Sequence, residues 1–359
     1  MQMFLDDPVF TVDDQPHTWA DVVHAATLRG DWDALESLVR EELACLAHAA
    51  AAGDAVDRDA VDEAARRFRY DRDLITAAET ERWLEQWGLT PAGWMAWVRR
   101  SVARSLYTSE LAALVSRHPV AQAAIDQVVL VDAVCHGQLA RFARTLAERA
   151  AAAAALAAAP DDTAVDGAAT DPGTGERDAA PVDSGRRAIP GLRSDPGRLA
   201  TLRELDRAHA RFLERVRSTA ALGAIVSAHR LDWIRLTCRV LEFSDEPAAL
   251  EAALCVRDDG EPVERVADLA HAPLRQVRFH LDEVDGALRH RMFSAGPGEL
   301  VGPVAENGGF RLYEIVGKEV PEENDALVRA RATDVALRRA VAVELERRVR
   351  WLSPSYATA

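Results

Sequence analysis

Apolar residues recur at spacings of three and four over most of the first 150 positions, the period of helices with one buried face. A helix is predicted with Asp31 as its N-cap and running through Ala52, with Leu35, Leu38, Val39, Leu43 and Leu46 on one side. Gly53 stops it. Asp57 opens a second helix, in which Val61, Ala64, Ala65 and Phe68 share a face. A third, over about 76–87, carries Trp83, Leu84 and Trp87 and ends at Gly88. Thr90-Pro91 restarts a fourth to about Tyr107, with proline where its fixed φ suits the first helical turn. Two more helices are predicted over 109–117 and 120–150, separated by Pro119. Ahead of all of them, PVFTVD at 8–13 reads as a short strand or extended lead-in.

Residues 150–159 are nearly all alanine and continue the preceding helix. Positions 160–200 then hold five of the chain's 16 prolines among Asp, Gly, Thr and Ser. Such a composition buries too little apolar surface to offset its ordering entropy, so 157–194 reads as a disordered linker. A helix over about 196–229 follows. From residue 233 the period changes to two: Ile234, Leu236, Cys238 and Val240 alternate in WIRLTCRVLEF, as in a strand. Short helices at EPAALEAAL and EPVERVADLAHAP, a strand RQVRFHL, a helix DEVDGALRHRMF and a last strand GFRLYEIVGKEV follow. They make a β-α-α-β-α-β unit of about 90 residues. A charged helix over about 322–352 closes the sequence, with Leu327, Val328, Val335, Leu337, Val341, Leu345, Val349 and Leu352 on its apolar side. A lone stripe must be buried somewhere, which favours docking back on the N-terminal helices over a free coiled coil.

The predicted fold is mainly α with a small α+β module. It is divided into an N-terminal helical domain (1–156), the linker (157–194), a connecting helix (195–229), the module (230–320) and a C-terminal helix (321–359). A formal net charge of -15 over 359 residues argues against non-specific nucleic-acid binding, which needs a basic surface to displace counterions. Peptides, proteins or small molecules are the expected partners. No apolar run reaches the roughly 18 residues of a membrane span, and MQMFLDDPVFTVDD lacks the basic and apolar regions of a secretory signal. Cys45, Cys135, Cys238 and Cys255 are scattered without zinc-type spacing. A cytoplasmic protein with reduced thiols, no metal and no cofactor is expected.

The segment PGELVGPVAENGGFRLYEIVGKEVP, 297–321, reads as a Pro-Gly turn, an extended VGPV, a tight Asn-Gly-Gly turn and a strand. It resembles the end of the parvulin-type peptidyl-prolyl isomerase domain, where a Pro-Gly turn leads into an extended Gly-Pro-Val, a glycine-containing turn and the last strand. The match runs without a gap from Pro297 to about Ile315. Upstream, Leu288 and Phe293 fall where that family places apolar residues lining its proline-binding groove, and the strand at 233–243 with the helix beginning near Glu246 fits its opening βα unit. The flanks are similar to chaperone–foldases of the SurA and PrsA type. In particular, TERWLEQWGLTPAGWMAWVRRSV at 80–102 is similar to their N-domain, where two helices meet across a Gly-Leu-Thr break. The resemblance implies a helical chaperone-like bundle from both chain ends carrying one parvulin-like βααβαβ domain, the two forming a cleft for an extended or partly helical polypeptide.

Two departures bear on activity. Active parvulins place two histidines face to face across the sheet floor, one on the first strand and one on the last. Here the last-strand position falls on Arg311, and the first-strand position on Arg239 or, with a one-residue shift, on Cys238. The glycine-rich segment before the groove is also missing from 274–284. Permanently charged guanidinium groups in place of neutral imidazoles remove a tunable hydrogen-bonding floor. The expectation is a degenerate domain kept for binding, with isomerase activity weak or lost; an active enzyme would have to rely on Cys238 as its catalytic group.

The candidate substrate-binding residues are Arg239, Leu288, Phe293 and Arg311, with Trp87 and Trp94 beside the turn as a peptide platform. Against the platform, helical spacing alone places tryptophans in a bundle core. Arg239 and Arg311 read either as a bidentate anion site or as an exposed pair with acidic neighbours such as Glu242 and Glu314. His271, His280 and His290 with Asp282, Glu283 and Asp285 look like an acid–base or metal cluster, and solvated polar positions around a turn are the simpler reading. The function expected is a cytoplasmic protein that holds or presents a ribosomally made precursor peptide, with peptide-modifying enzymes as further partners. An active prolyl isomerase and a peptide-modifying enzyme on the same scaffold are the alternatives. Neither nucleic acid nor membrane is an expected partner.

Overall fold

The computed structural model describes residues 4–53, 56–158, 192, 195–218, 222–306, 308–322 and 324–352. It opens on a hairpin of β1 (Pro8–Val12) and β2 (Gln15–Thr18). The turn residues Asp13 and Asp14 both have positive φ, 44° and 68°, the hand of turn that matches the twist of paired strands. There follow α1 (Trp19–Arg29), α2 (Asp31–Ala52), α3 (Arg58–Tyr70), α4 (Ala77–Gln86), α5 (Pro91–Leu106), α6 (Leu111–Arg117), α7 (Gln122–Cys135) and α8 (Gln138–Ala158). Local chemistry sets their ends. Thr18 and Thr76 each accept a bond from the third backbone N–H of their helix while Asp21 and Glu79 reach back, closing two reciprocal caps. Gly30 and Gly53, at φ 81° and 72°, flank α2, so Asp31 is its first residue and not its N-cap. The helix predicted over 120–150 is two, because Gly137 turns left-handed at φ 69° between α7 and α8.

The chain continues through α9 (Pro196–Ser218), α10 (Leu222–Ala228), β3 (Arg235–Phe243), α11 (Glu246–Arg257), α12 (Val263–Ala270), β4 (Leu274–His280) and α13 (Gly286–Ser294). It ends with β5 (Leu300–Glu306), β6 (Gly309–Glu319), α14 (Ala326–Arg348) and β7 (Val349–Trp351). The fold is thus mostly helical, with small antiparallel sheets. Nearly all of the segment read as a linker, 157–194, lies outside the described residues. Two compact units emerge: residues 1–214 with 341–359, and residues 215–340.

In the first unit, Phe10, Trp19, Trp32, Ile125, Leu139 and Leu146 are sealed from solvent in one core. Residues Val349–Trp351 join that unit as a strand. The helical pattern runs on past residue 348, but β1 offers an unpaired edge, and β7 takes it with Phe10 opposite Trp351. The sheet order is β2-β1-β7. Arg348, bonded to Glu344 at 2.7 Å and to Asp13 at 2.5 Å, marks the change from helix to strand. Leu327 and Leu352, assigned to the apolar side of the last helix, are exposed, whereas Leu345 and Val349 pack on the core.

The second unit is built on a four-stranded antiparallel sheet of order β4-β3-β6-β5. Its element string is βααβαββ, one strand more than predicted, since the VGPV segment is a full partner of β6. Period-two alternation divides the side chains between two faces. Leu241, Phe243 and Leu312 pack against Ala252, Ala253, Val263, Val266 and Ala267 of α11 and α12 on one face. Leu236, Cys238, Val240, Tyr313 and Ile315 point to the other, where α13 supplies Met292 and Leu288. Two bulges displace the register, one on β6 at Val316, opposite Thr237/Cys238, and one on β5 between Val301 and Val304. The second contains Gly302, where φ is 138° and an added Cβ would lie 2.7 Å from the Arg311 carbonyl oxygen.

Candidate functional site

Because α13 covers only part of its face of the sheet, a cleft of about 430 Å³ remains beside it within the second unit. Its floor and walls are Val240 on β3, Val277 and Phe279 on β4, Tyr313 on β6, and Val284, Leu288 and Met292 at and along α13. Apolar walls with a few placed polar groups are the usual make-up of a ligand site. The polar groups here form a chain at one end. The Tyr313 hydroxyl donates to Glu306 Oε2 at 2.6 Å, and Arg311 Nη1 donates to the same oxygen at 2.8 Å. The other side of that guanidinium meets Glu242 Oε1 at 3.0 Å, and Arg275 meets the second Glu242 oxygen at 3.3 Å. The bond from Tyr313, aided by Arg311, holds the Glu306 carboxyl below its usual range despite partial burial. Burial, then the bond to Glu306, pushes Tyr313 up to about 12, so the phenol stays protonated and a donor. Glu283 and Asp285 line the rim beside α13.

The residues singled out in the sequence are divided by this geometry. Leu288 and Arg311 line the cleft. Arg239 does not: it lies on the opposite face, ion-paired to Glu314 at 2.6 Å and to Glu264 of α12. The two arginines therefore do not face one another, and each guanidinium is neutralised by carboxylates. Cys238 is a further correction. It points to the same face as the cleft but is wholly buried in the core beneath it, and burial pushes its thiol up to about 11. A protonated, inaccessible thiol does not fit the catalytic role assigned to it. Phe293 is turned outward, 43% exposed, and the neighbouring Met292 takes the buried position.

Trp87 and Trp94 are both buried, so neither forms an exposed platform. Trp87 packs between Phe4 and Trp19, with ring centroids 6.0 and 5.1 Å away. Trp94 and Trp97 close on Phe68 at 5.6 and 5.1 Å. The histidine–carboxylate group near the cleft does not converge either. His280 bonds Glu283 at 3.2 Å, Asp282 accepts two bonds from Arg331 at 2.6 and 2.7 Å, His290 is exposed, and His271 ends α12 in a left-handed turn.

A second polar constellation lies in the core of the first unit and carries no local signal in the sequence. Arg100 on α5 donates to Asp132 on α7 at 2.6 Å and approaches Glu42 on α2 at 3.7 Å; both carboxylates are fully buried. The Trp97 indole donates to His136 Nε2 at 3.2 Å, so that nitrogen presents a lone pair. Glu42 Oε1 lies 3.0 Å from the same nitrogen. Burial raises Glu42 although its bond with Asp132 lowers it, and burial with that same bond pushes Asp132 up to about 8, so Asp132 is the carboxyl that keeps its proton. One arginine, one carboxylate and one carboxylic acid make a neutral core cluster. Glu42, Asp132 and His136 each offer an atom within 4.8 Å of the others, the spacing of a metal site. The Arg100 guanidinium already supplies the cation there, so the cluster reads as structural.

No protein-family model matches the chain, and no curated protein does. Among solved structures, the chain is similar to one from work on the virulence factor PEB4 and the periplasmic protein Cj1289, described as SurA-like chaperones of Campylobacter jejuni. The identity is 10%, the TM-score 0.19, and the alignment covers 96% of this chain and 98% of that one.

Proposed function

We propose that this protein is a chaperone-like peptide binder whose second unit holds an extended polypeptide segment in the cleft between α13 and the sheet. The observation that carries the reading is the cleft itself: an apolar floor of Val240, Val277, Phe279, Leu288 and Met292 ending in the fixed Tyr313–Glu306–Arg311–Glu242 chain. Apolar side chains of a client gain from leaving water on that floor, and the polar chain can bond its backbone. The parvulin-like character of the unit rests on the Pro297–Ile315 resemblance and on the βα opening of the sheet. Isomerase activity is weak or lost, because no histidine lines the cleft among the described residues and the thiol beneath it is sealed. The client is a ribosomally made precursor peptide, held or presented for maturation by other enzymes in the cytoplasm. The four cysteines, all unpaired thiols, are compatible with a reducing compartment.

The test is fluorescence anisotropy with the full chain and a labelled, unstructured peptide rich in apolar residues. Leu288→Glu places a charge on the cleft wall and is expected to weaken binding at least about tenfold, or about 1.4 kcal/mol, with the circular dichroism spectrum unchanged. Unaltered affinity in a folded Leu288→Glu protein would remove the cleft from the account. A prolyl-peptide assay accompanies it: acceleration lost in Cys238→Ala would instead support the enzyme.

A further inference from the structure

The cleft's charges do not balance. Its lining holds four carboxylates, Glu242, Glu283, Asp285 and Glu306, against two guanidiniums, Arg275 and Arg311. Both guanidiniums are engaged: Arg311 lies between Glu242 at 3.0 Å and Glu306 at 2.8 Å, and Arg275 meets Glu242 at 3.3 Å. Neither is left to bind an anionic ligand without breaking an existing pair. On the α13 side, Glu283 is shared between His280 at 3.2 Å and Arg331 at 3.6 Å. Asp285 differs. It is the exposed N-cap residue of α13, yet its carboxylate makes no capping bond and has no ion pair or hydrogen bond among the described residues. An unpaired anion thus stands at the lip of an apolar cleft, beside Val284 and Leu288.

We infer that the cleft selects polypeptide segments in which an apolar residue adjoins a lysine or arginine, with Asp285 reading the cation while the apolar neighbour occupies the floor. This rests on the peptide-binding reading above. It assigns the client a chemistry, apolar and basic, and gives Asp285 a specificity role. The apolar residue supplies affinity through buried area; the exposed ion pair supplies preference and a faster encounter. An acidic residue at the same client position would meet Asp285 and Glu283 and be disfavoured.

The test uses the full chain and three labelled peptides of one sequence, differing at a single position next to a central leucine that carries lysine, glutamine or glutamate. The lysine peptide is expected to bind about three- to fivefold more tightly than the glutamine peptide at low salt, and the glutamate peptide more weakly than either, as an exposed ion pair allows. About 1 M salt, where the Debye length is about 3 Å, should erase the difference. Asp285→Asn should abolish the lysine preference, so that the lysine and glutamine peptides bind the variant equally. Equal binding of the three peptides, a preference for glutamate, or a lysine preference that survives Asp285→Asn would overturn the inference while leaving peptide binding intact. If none of the three binds, the peptide-binding reading falls and this inference falls with it.

Discussion

Replacing Arg100 by methionine is expected to destabilise the first unit by about 3–5 kcal/mol, because it leaves buried carboxylates without their cation. Methionine preserves most of the side-chain volume, so little of the loss comes from a cavity. Arg100 is 5% exposed, and Glu42 and Asp132 are sealed, so water cannot take over the guanidinium's part. The deficit should depend on pH. Asp132 titrates at about 8 in the folded chain against an ordinary value near 3.8, and Glu42 is raised as well. A carboxyl raised by folding contributes stability that is complete below its unfolded value and is lost as pH rises through its folded value. Without Arg100 both groups hold protons more tightly still, so the variant's deficit should be larger at pH 8 than at pH 5. Urea unfolding followed by tryptophan fluorescence reads both effects. A loss under about 1 kcal/mol that is independent of pH would show that the cluster is solvated and not a sealed neutral core.

The second large effect is expected at Gly302. An alanine Cβ would sit 2.7 Å from the Arg311 carbonyl oxygen and 2.8 Å from Leu312 Cδ2, on a backbone at φ 138° that side chains rarely adopt. Backbone strain and overpacking each cost about 1–3 kcal/mol, so Gly302→Ala should lose about 2–5 kcal/mol from the second unit. The damage should be local. Exchange of the β5 and β6 amides should accelerate, while α2, α5 and α7, which belong to the first unit, keep their protection. Because Tyr313, Arg311 and Glu306 all belong to this hairpin, peptide binding should fall with the ladder. Gly317→Ala is the control: nothing lies within 4 Å of its Cβ, and it should be tolerated. Equal stability of the two variants would contradict the close packing at the bulge.

Much of this architecture is written in local signals. The cap pairs Thr76/Glu79 and Thr90/Pro91, the αL stop at Gly53 and the alternation of Leu236, Cys238 and Val240 are properties of short segments, and those elements form where the pattern places them. What the pattern missed depends on distant partners. The β1–β2 hairpin turns on two aspartates with positive φ, not on an Asn-Gly signature. The β7 strand exists because β1 has a free edge, although its apolar residues continue a helical stripe. The arginines part because pairing, which local spacing does not reveal, puts Arg239 opposite Glu314 and Arg311 opposite Glu242; Arg239 and Glu242 are three residues apart on β3, so period two sends them to opposite faces. Leu288 and Arg311 were legible as cleft residues from the resemblance, while Asp285 was visible only as part of a histidine–carboxylate group that does not converge. Glu42, Arg100 and Asp132 carried no signal at all, since three separate helices bring them together.

The central claim, that the cleft between α13 and the sheet is where a polypeptide is held, is tested most directly by photo-crosslinking. A peptide with an apolar residue replaced by a benzophenone amino acid is irradiated with the full chain, and the adducts are mapped by mass spectrometry. Adducts are expected on the cleft's own residues, Val277, Phe279, Val284, Leu288 and Met292, reduced by competing unlabelled peptide and by Leu288→Glu. Adducts that fall on the helices of the first unit, or that ignore both the competitor and the substitution, would contradict it.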